Sequence, residues 1–459
     1  MTPGAKPAPD TFDVDVDVAI VGAGAAGLVA ALAAIERGRS VVVLERDAVP
    51  AGSTALSSGL VPAAGTKAQA AAGIADTRAA FAADILEKAK HTVDAAAVAV
   101  AVDAVAEAID WLAARHALPF EVIEGFTYPG HSALRMHAMP ERSGQALVDR
   151  LRAAAESADV PVLTGALVDT LFTRDGAVVG VGLARPDGTR ETIGASSVVL
   201  ACNGYGGNPA LVARHVPSLK DALWFGHSGN DGTALLFGEA LGAASAHLSG
   251  HQGHGSVAHP HGILITWATI AEGGYQVNRD ARRFHDESTG YSEAAAAVVA
   301  QPGAFAATIF DARIAGIARQ FTDFREAEAQ GAILVADDIG TLATRLGLDP
   351  TGLAATHAEV EAAKRAGARD RFGRDFTGVA SLVAPFAGVK VTGALFHTQG
   401  GLVVDAKARV RRPDGATIPG LFAAGGAAAG LSGPRASGYL SGNGLLTAVA
   451  QGYLAGRTA

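Results

Sequence analysis

Three glycines with the spacing G-x-G-x-x-G, at Gly22, Gly24 and Gly27, are the residues of this chain best suited to holding a phosphorylated ligand. Gly22 allows a tight turn, Gly24 lets backbone N–H groups approach a pyrophosphate, and Gly27 lets a helix pack against a sheet. Ala25 and Ala26 lie between them, at the expected start of that helix. The free N–H groups and partial positive charge of a helix start suit phosphate oxygens, so the spacing predicts a phosphate site.

The elements that would position these glycines are also present in the sequence. The apolar run 16–21 predicts a strand, 28–37 a helix, and 40–44 a second buried strand. Glu45 ends the second strand, where a carboxylate accepts hydrogen bonds from ribose hydroxyls. A complete strand–helix–strand unit with its terminal acid predicts a dinucleotide-binding fold rather than a glycine-rich turn without a ligand.

Further residues suited to the same cofactor carry small, hydroxyl or amide side chains at predicted turns and strand ends. Segment 47–65 is predicted to be a loop that holds phosphates or a ring edge, although a plain Ser/Gly turn has the same composition. A glycine-rich segment before the C-terminal helix offers a second set of N–H donors, and Asp231 also fits a helix cap. The cofactor residues predicted outside the first unit are Arg46, Ser53, Thr54, Ser58, Gly59, Leu60, Val168, Ala201, Asn203, Gly204, Asn230, Asp231, Gly425, Ser441, Gly442, Asn443 and Leu445.

The rest of the chain predicts mixed helices and strands by apolar spacing. Helices are predicted over 77–90, 94–115, 143–157, 312–322, 337–346 and 351–366. Strands are predicted over 161–173, 177–184, 189–193, 197–202, 263–269, 273–278, 304–310, 393–397 and 418–423. The charged segment 279–286 is predicted to be a turn, and its arginine pair is by composition typical of solvated surface.

Five histidines within residues 247–261 raise the possibility of a metal site. They are His247, His251, His254, His259 and His261. The segment is rich in glycine, contains no more than one helical i, i+4 histidine pair and has no cysteine nearby, unlike most zinc sites. The pattern favours loop histidines that line a polar pocket, and no metal is predicted.

Length and composition exclude several classes of protein. A chain of 459 residues with 49% hydrophobic and 18% charged residues predicts a well-buried globular protein of two domains. A net charge of −8 argues against nucleic acid or an anionic membrane as partner. The single cysteine, Cys202, excludes a disulfide framework, a c-type haem motif and a cysteine-ligated iron–sulfur cluster, so electrons are expected to pass through a diffusible partner. Without a secretory signal or a membrane-spanning run, a cytoplasmic protein is expected.

Nine ordered motifs give the chain a family resemblance from residue 16 to residue 456. They are G-A-G-A-A-G at 22–27, S-S-G-L at 57–60, A-C-N-G at 201–204, N-D-G at 230–232, A-H-P at 258–260, V-N-R-D-A-R-R-F at 277–284, H-T-Q-G-G-L at 397–402, P-G-L-F-A-A-G at 419–425 and S-G-N-G at 441–444. The chain resembles the flavoprotein subunits of fumarate reductase and succinate dehydrogenase and the related 3-ketosteroid dehydrogenases. The resemblance implies FAD as cofactor and an α/β fold. In that fold a Rossmann-like FAD-binding domain, 14–254 and 396–459, is interrupted by an α+β capping domain, 255–395.

The resemblance also implies roles for residues that the composition alone does not single out. Arg283 matches the arginine that moves a proton to or from the substrate carbon, opposite the hydride exchanged with flavin N5. His397 and His259 match substrate-binding histidines, although His261 competes for the second alignment, and Thr266 matches a substrate-contacting threonine. An arginine is almost always protonated, so such a role requires a closed site with little water.

Departures from the family pattern point to a changed substrate. Trp267 stands where fumarate reductases have a relay glutamate, Gly426 stands where they have an acid, and Tyr439 stands where they have a carboxylate-binding arginine. Arg435, four residues earlier, is a second candidate for a carboxylate. A carbonyl compound or a larger acid therefore fits better than a small dicarboxylate, with Tyr439 donating to an enolate-like oxygen. No histidine occurs between residues 46 and 90, so the FAD is expected to be non-covalent.

The resulting prediction is an FAD-dependent oxidoreductase that acts on a C–C bond next to a carboxylate or ketone. It either desaturates that bond or reduces the alkene, and the departures favour desaturation. Arg283 or a tyrosine moves the proton, and whether Tyr275 or Tyr291 faces the site is left open. Two alternatives stay open at this point: an FAD-dependent oxidase or hydroxylase that uses O2, and a non-catalytic flavin-binding protein.

Overall fold

The computed structural model describes residues 3–125 and 127–459. By the density of its internal contacts the chain divides into two compact units. The first unit contains the described residues up to His215 together with Gly226–His251 and His397–Ala459. The second unit contains Val216–Phe225 and Gln252–Phe396, and therefore includes every residue of the predicted capping domain and a short segment before it.

Strands and helices are numbered here in chain order. The strands are β1 Gly4–Pro7, β2 Val14–Val21, β3 Val41–Leu44, β4 Val61–Pro62, β5 Glu121–Val122, β6 Met136–Ala138, β7 Val162–Leu163, β8 Leu167–Arg174, β9 Ala177–Ala184, β10 Arg190–Leu200, β11 Leu223–Trp224, β12 Ser245–Ala246, β13 His251–Ala258, β14 Ile263–Leu264, β15 Tyr275–Val277, β16 Ala306–Asp311, β17 Leu334–Ala336, β18 Phe386–Thr398, β19 Gly401–Leu402, β20 Arg409–Arg411 and β21 Thr417–Ala423.

The helices carry their own numbers. They are α1 Ala25–Ile35, α2 Gly52–Ala55, α3 Lys67–Ala71, α4 Arg78–Lys88, α5 Ala95–His116, α6 Gly144–Ser157, α7 Pro209–His215, α8 Thr233–Leu241, α9 Ala268–Ala271, α10 Tyr291–Val299, α11 Ala312–Ala318, α12 Thr322–Ala329, α13 Ile339–Leu346, α14 Pro350–Ala366 and α15 Asn443–Thr458. In the part of the chain that the structure describes, no helix has the length and apolar composition needed to cross a membrane.

A mixed sheet with a parallel centre forms the scaffold of the first unit. Its strand order is β1-β8-β9-β10-β2-β3-β7, and β21 and β20 join it beside β10. The strands β10, β2, β3 and β7 are successive parallel neighbours, so their carboxyl ends lie at one edge. Ligands of open α/β sheets bind at this edge, and the first glycine-rich turn follows β2 there.

The strand β10 is continuous where the sequence predicts two separate strands. One of its edges pairs in parallel with β2 from Ile193 to Leu200. Its other edge pairs antiparallel with β9 over 190–194 and then parallel with β21 over 198–200. The predicted break at 194–196 is therefore wrong, because the small residues there mark a change of partner rather than the end of a strand.

The helix α1 is buried from Ala25 to Ala34 and packs closely against α15. A Cβ added at Gly452 would lie 2.4 Å from the carbonyl oxygen of Ala26, and one at Gly456 would lie 2.1 Å from that of Ala30. Real Cβ atoms do not approach backbone this closely, so these glycines set the distance between the two helices. The close contact brings the N-terminal half of α1 beside the last helix described.

The second unit is built on another sheet, with the order β14-β13-β18-β16-β15 and with β11 and β17 also paired to β18. The helices α11 to α14 and these strands share one apolar core, in which Tyr275, Phe310, Phe324 and Phe376 are the largest fully buried side chains. The α/β first unit and the α+β second unit confirm the predicted fold class.

Several element predictions are corrected by the structure. The predicted strand 263–269 is wrong beyond Leu264, because the chain turns there and continues into α9. The predicted strand 161–173 is divided into β7 and β8. The predicted loop 47–65 contains the short elements α2 and β4, and the predicted helix 312–322 ends at Ala318, before α12 begins. These errors occur at short elements, where periodicity covers too few residues to decide between helix, strand and turn.

Candidate functional site

The first glycine-rich turn has the local structure that its spacing predicts. Gly22 has φ +106°, a backbone conformation that residues other than glycine rarely adopt, and a Cβ added there would lie 2.7 Å from the carbonyl oxygen of Ala201. A Cβ at Gly27 would lie 1.9 Å from the carbonyl oxygen of Gly22. The glycines therefore allow β2 to enter α1 directly, and Gly24, with Ala25 and Ala26 after it, occupies the helix start.

Side chains of α2 and of two loops are joined to the start of α1 by hydrogen bonds. The Thr54 hydroxyl accepts a hydrogen bond from the backbone N–H of Ala25 at 3.0 Å. The Ser53 hydroxyl oxygen accepts from the side-chain amides of Asn203 and Asn230, both at 2.8 Å, so its own hydrogen remains available to donate. The structure thus brings together predicted cofactor residues from four separate segments of the sequence, at Ala25, at Ser53 and Thr54, at Asn203 and at Asn230.

Glu45 is buried at the end of β3 and already accepts backbone hydrogen bonds. Its two carboxylate oxygens accept from the N–H groups of Ala23 at 2.9 Å and Asp47 at 3.0 Å. A carboxylate has about four acceptor positions, so two are left for ribose hydroxyls. Neighbouring Arg46 forms an ion pair at 2.8 Å with Asp231, whose other oxygen accepts from the Thr233 N–H at the start of α8.

The start of α15 contains an unsatisfied acceptor. Asn443 is fully buried, and its Oδ1 has no hydrogen-bond partner within the described residues. Gly442, with φ +87°, precedes it and begins the helix, while Leu445 lies within the first turn and Ser441 lies just before the cap. Buried polar atoms are nearly always paired in native proteins, so this oxygen indicates a ligand atom beside α15.

The other predicted cofactor residues differ in their surroundings. Gly425 lies beside α1, where a Cβ would be 3.3 Å from the Ala26 methyl group, and its N–H donates to Gln451. A Cβ at Gly59 would lie 2.5 Å from a carbonyl oxygen of the chain, and one at Gly204 would lie 2.2 Å from the Thr398 hydroxyl. Leu60 and Ala201 are partly buried, Val168 is buried within β8, and Ser58 is exposed.

Two of the predicted substrate residues meet in the first unit. The rings of His397 and Tyr439 pack edge to face, with centroids 5.3 Å apart. His397 also lies against the first turn of α15, since a Cβ at Gly444 would be 3.6 Å from its Nε2. Burial lowers the pKa of His397 to about 4, so its ring is neutral near pH 7. Arg435, by contrast, is exposed.

Arg283 is buried in the second unit and is held by two acids. Its Nε donates to Glu287 Oε1 at 2.9 Å, its Nη2 donates to Glu287 Oε2 at 2.5 Å, and its Nη1 donates to Asp370. Arg374, itself buried, donates to the same Glu287 at 3.1 Å. The expectation from composition, a solvated surface arginine, is wrong because the partner Asp370 is supplied from 87 residues away.

The charges of this cluster compensate one another. Burial acts to lower the pKa of Arg283, but the hydrogen bonds and charges of Glu287 and Asp370 outweigh it and raise that pKa. For Glu287, burial acts to raise the pKa, and Arg283 and Arg374 nevertheless lower it to about 2. A guanidinium that is held this firmly in its protonated form is poorly suited to release a proton.

The remaining predicted residues of the second unit are less enclosed. His259 and the competing His261 are both exposed. Thr266 is partly buried, and its hydroxyl accepts from the Ala268 N–H at 3.3 Å just before α9. Within the described residues, neither histidine forms a hydrogen bond or ring contact with the Arg283 cluster.

An aromatic cluster that sequence reasoning left open lies in the same unit. The Tyr291 ring stacks on His254, with centroids 5.1 Å apart and planes 20° apart, and His254 also stacks on Phe396 and meets Trp267 edge to face. Trp267 follows the predicted substrate residue Thr266. Tyr275, the other tyrosine left open, is fully buried and bonds His357 at 3.2 Å, so it belongs to the core.

The histidine-rich segment is also corrected. His251 and His254 lie on the strand β13 rather than in a loop. Burial lowers the pKa of His254 to about 3, and its Nδ1 accepts from the Ser256 N–H at 3.1 Å. Over the described ranges there is no group of three or more His, Cys, Asp or Glu side chains that could hold a metal ion.

Comparison with known protein families identifies the family. The profile described as FAD binding domain matches residues 17–445. The chain belongs to this FAD-binding family.

Three proteins illustrate what the chain is similar to. A probable fumarate reductase from Shewanella frigidimarina is 29% identical over 446 residues, covering 96% of this chain and 74% of that protein. The 4-oxocyclohex-2-ene-1-carboxylate 5-dehydrogenase of Sinomonas cyclohexanicum is 26% identical over 566 residues, covering 96% and 93%. The solved open conformation of a flavocytochrome c3 fumarate reductase matches with a TM-score of 0.85 and 29% identity, over 97% of this chain and 78% of that one.

Membership of the FAD-binding family confirms the predicted cofactor and enzyme class. The protein is an FAD-dependent oxidoreductase that acts on carbon–carbon bonds, and the alternative of a non-catalytic flavin-binding protein is wrong. The residues of the first unit fit FAD: the starts of α1 and α15 offer N–H donors, Ser53 offers a hydroxyl, and Asn443 Oδ1 offers a buried acceptor.

Proposed function

We propose that this enzyme interconverts a saturated and an α,β-unsaturated carbonyl compound, with a ketone or carboxylate next to the reacting bond. The two relatives named above support this class, because fumarate and 4-oxocyclohex-2-ene-1-carboxylate both carry a C–C bond conjugated with such a group. The substrate is proposed to be larger than fumarate, since Tyr439 and Trp267 are less suited than charged residues to binding a small dicarboxylate.

The enclosure of Arg283 by Glu287 and Asp370 supports a tyrosine, rather than this arginine, as the proton-transfer group. Glu287 has no exposed surface, and Nε, Nη1 and Nη2 of Arg283 each donate to one of these two acids. Of the two tyrosines left open by the sequence, Tyr275 is fully buried in the core, whereas Tyr291 is only partly buried. We therefore assign proton transfer to the hydroxyl of Tyr291 and a structural role to Arg283.

The chemistry divides between the cofactor and the side chains. When bound, FAD would supply the hydride chemistry at one substrate carbon, in either direction. The ionised Tyr291 phenolate would accept the proton of the neighbouring carbon during desaturation, and the neutral Tyr291 hydroxyl would give a proton to that carbon in the reverse direction. The neutral His397 and the hydroxyl of Tyr439 hydrogen-bond the carbonyl oxygen and stabilise the negative charge that develops there.

Further assignments belong to the same proposal. The FAD is non-covalent, since no histidine occurs between residues 46 and 90. Burial raises the pKa of Cys202 to about 12, which leaves this thiol inert towards a flavin. A diffusible electron carrier completes the redox cycle, the second unit is a substrate-capping domain, and the protein acts in the cytoplasm.

An anaerobic substrate panel tests the proposal. The purified yellow protein is mixed with cyclic and acyclic ketones and acids that differ in size, and loss of the flavin absorbance is followed. Bleaching by a saturated ketone or acid, with formation of the α,β-unsaturated product, supports the proposal. Absence of bleaching by every compound, and of reoxidation of the reduced protein by every unsaturated partner, contradicts it. Fast reoxidation by air would favour the oxidase or hydroxylase alternative.

A further inference from the structure

A chain of buried side chains joins His397 to the start of α15. Gln399 Nε2 donates to His397 Nδ1 at 2.9 Å, Ser432 Oγ donates to Gln399 Oε1 at 2.6 Å, and Asn443 Nδ2 donates to Ser432 Oγ at 3.2 Å. Gln399, Ser432 and Asn443 are all at most 4% exposed. Hydrogen bonds among buried neutral side chains favour one arrangement of donors and acceptors.

The orientation of the Gln399 amide gives the direction of its two bonds in this chain. A separation of 2.6 Å between Ser432 and the Gln399 amide suits O–H···O and is short for N–H···O, so the atom facing the serine is Oε1. The amide nitrogen of Gln399 therefore faces His397, and a side-chain amide nitrogen only donates. A Cβ at Gly430 would lie 3.0 Å from Gln399 Oε1, so the glycine leaves space for the amide group.

The imidazole tautomer follows from that direction. Because Nδ1 accepts from Gln399, the ring proton of neutral His397 sits on Nε2. The competing contact of Nδ1, with the carbonyl oxygen of Thr398, is longer at 3.4 Å and would require the opposite tautomer. Nε2 has no hydrogen-bond partner in the described part of the chain, so its N–H is available to a ligand.

We propose that Gln399 is a positioning residue that holds His397 as a neutral Nε2–H donor, with its own amide oriented by Ser432 and Asn443. The role in turnover rests on the proposed function, because it requires a substrate oxygen that accepts from His397. The tautomer itself does not depend on that function. The chain also connects the donor to Asn443, whose Oδ1 is the unsatisfied acceptor at the start of α15.

The tautomer is tested first, on the FAD-loaded protein without substrate. Nitrogen-15 NMR of protein labelled at histidine, with His397→Asn to assign the signal, distinguishes a protonated from an unprotonated ring nitrogen. We expect Nδ1 to be unprotonated and Nε2 protonated at pH 7. A protonated Nδ1 in the unmodified protein would overturn the inference and leave the proposed function untouched.

Gln399→Glu tests the role of the amide. A carboxylate accepts from Nδ1–H, so the variant should move the ring proton to Nδ1 or hold the ring as an imidazolium. We expect a loss of at least tenfold in kcat, a smaller change in KM, unchanged FAD content, and a new limb in the pH–rate profile. The matched variant Gln330→Glu, at an exposed position, should change none of these.

The two readouts separate the possible failures. If Gln399→Glu changes the tautomer but leaves kcat and its pH profile as in the parent protein, the positioning role is wrong although the hydrogen-bond chain is correct. If Gln399→Glu does not fold, Gln399→Leu removes the donor without adding a charge. In that variant the two tautomers should both appear in the NMR spectrum, and a single Nε2–H species would overturn the proposal. Loss of all activity in the unmodified protein would count against the proposed function alone.

Discussion

Two buried polar clusters, one in each unit, are stabilised differently, one by ion pairs and the other by hydrogen bonds between neutral side chains. In the second unit Arg283, Glu287, Asp370 and Arg374 carry full charges that compensate one another. In the first unit His397, Gln399, Ser432 and Asn443 are neutral, and the order of donors and acceptors alone defines their arrangement. The charged cluster fixes a fold because each ion needs its partner, whereas the neutral chain leaves a donor free at one end.

The difference shows that residue type alone does not reveal the surroundings of a side chain. Arg283 aligns with a proton-transfer motif but is held protonated by its acids, and Gln399 is proposed to set the tautomer of His397. The following predictions test whether the charged cluster is structural and the neutral side chains are functional.

The largest effect is expected for Tyr291→Phe. Removing the proposed proton-transfer hydroxyl should lower kcat by about 10²- to 10⁴-fold, with FAD content and thermal midpoint nearly unchanged. Tyr275→Phe is the matched control, because it removes a hydroxyl from the core that bonds His357 and should change stability but not kcat. A loss of kcat of tenfold or less in Tyr291→Phe would show that another group transfers the proton.

Breaking the charged cluster should chiefly cost stability. Arg283→Ala leaves Glu287 buried with one cation fewer, and the expected loss is about 3–5 kcal/mol in the free energy of unfolding. Arg282→Ala, at the exposed neighbouring position, should be close to neutral. The double variant Arg283→Met with Glu287→Leu should be less destabilised than the sum of its single changes. A hundredfold loss of kcat in Arg283→Ala at unchanged stability would restore its catalytic role.

As the pH falls, the stabilisation that depends on the buried neutral histidines should be lost before the stabilisation by the charged cluster. The pKa of His254 is lowered to about 3, so below pH 6.5 the unfolded chain binds a proton that the folded chain does not. Stability therefore falls as pH falls from 7 to 5, by on the order of 2 kcal/mol for this residue. The stabilisation by Glu287, with its pKa lowered to about 2, is lost only below about pH 4.5.

The measurement is a series of denaturation midpoints at pH 7, 6 and 5. His254→Phe keeps an aromatic ring in the cluster and removes the titration, so its midpoint should fall less between pH 7 and 5 than that of the parent protein. An equal fall in both proteins would show that His254 is not buried in the neutral form.

The smallest effect is expected for Ser432→Ala. This change removes the donor that orients the Gln399 amide but keeps the amide itself, so kcat should fall about two- to tenfold. Ser157→Ala, at an exposed position of α6, is the control and should leave kcat unchanged. A loss as large as that of Gln399→Glu would mean that the serine acts directly rather than through the amide.

The parts that the sequence predicts well are those coded locally. The strand, turn and helix around Gly22, Gly24 and Gly27 depend on backbone freedom at adjacent positions, and the fold class follows from them and from the ordered motifs. The cofactor and the class of reaction followed from the resemblance and are confirmed by the family.

The parts that the sequence does not predict depend on distant partners. Arg283 bonds Asp370, which is distant in sequence, and the edge of β10 that β9 leaves is taken up by β21, which lies near the other end of the chain. The tautomer of His397 depends on Ser432 and Asn443, which no local pattern links to it. Tyr291 follows a glycine at a helix start, a signal too common to single it out, and its contact with His254 appears only in the structure.

The contact between α1 and α15 has a consequence for synthesis of the protein. The ribosome completes α1 when residue 35 is made, but the surface against which Ala26 and Ala30 pack exists only after Gly452 and Gly456 have been added. At roughly 5–20 residues per second the nascent helix waits on the order of 20–80 s for its partner. During that interval chaperones or the growing chain itself must cover an almost entirely apolar segment.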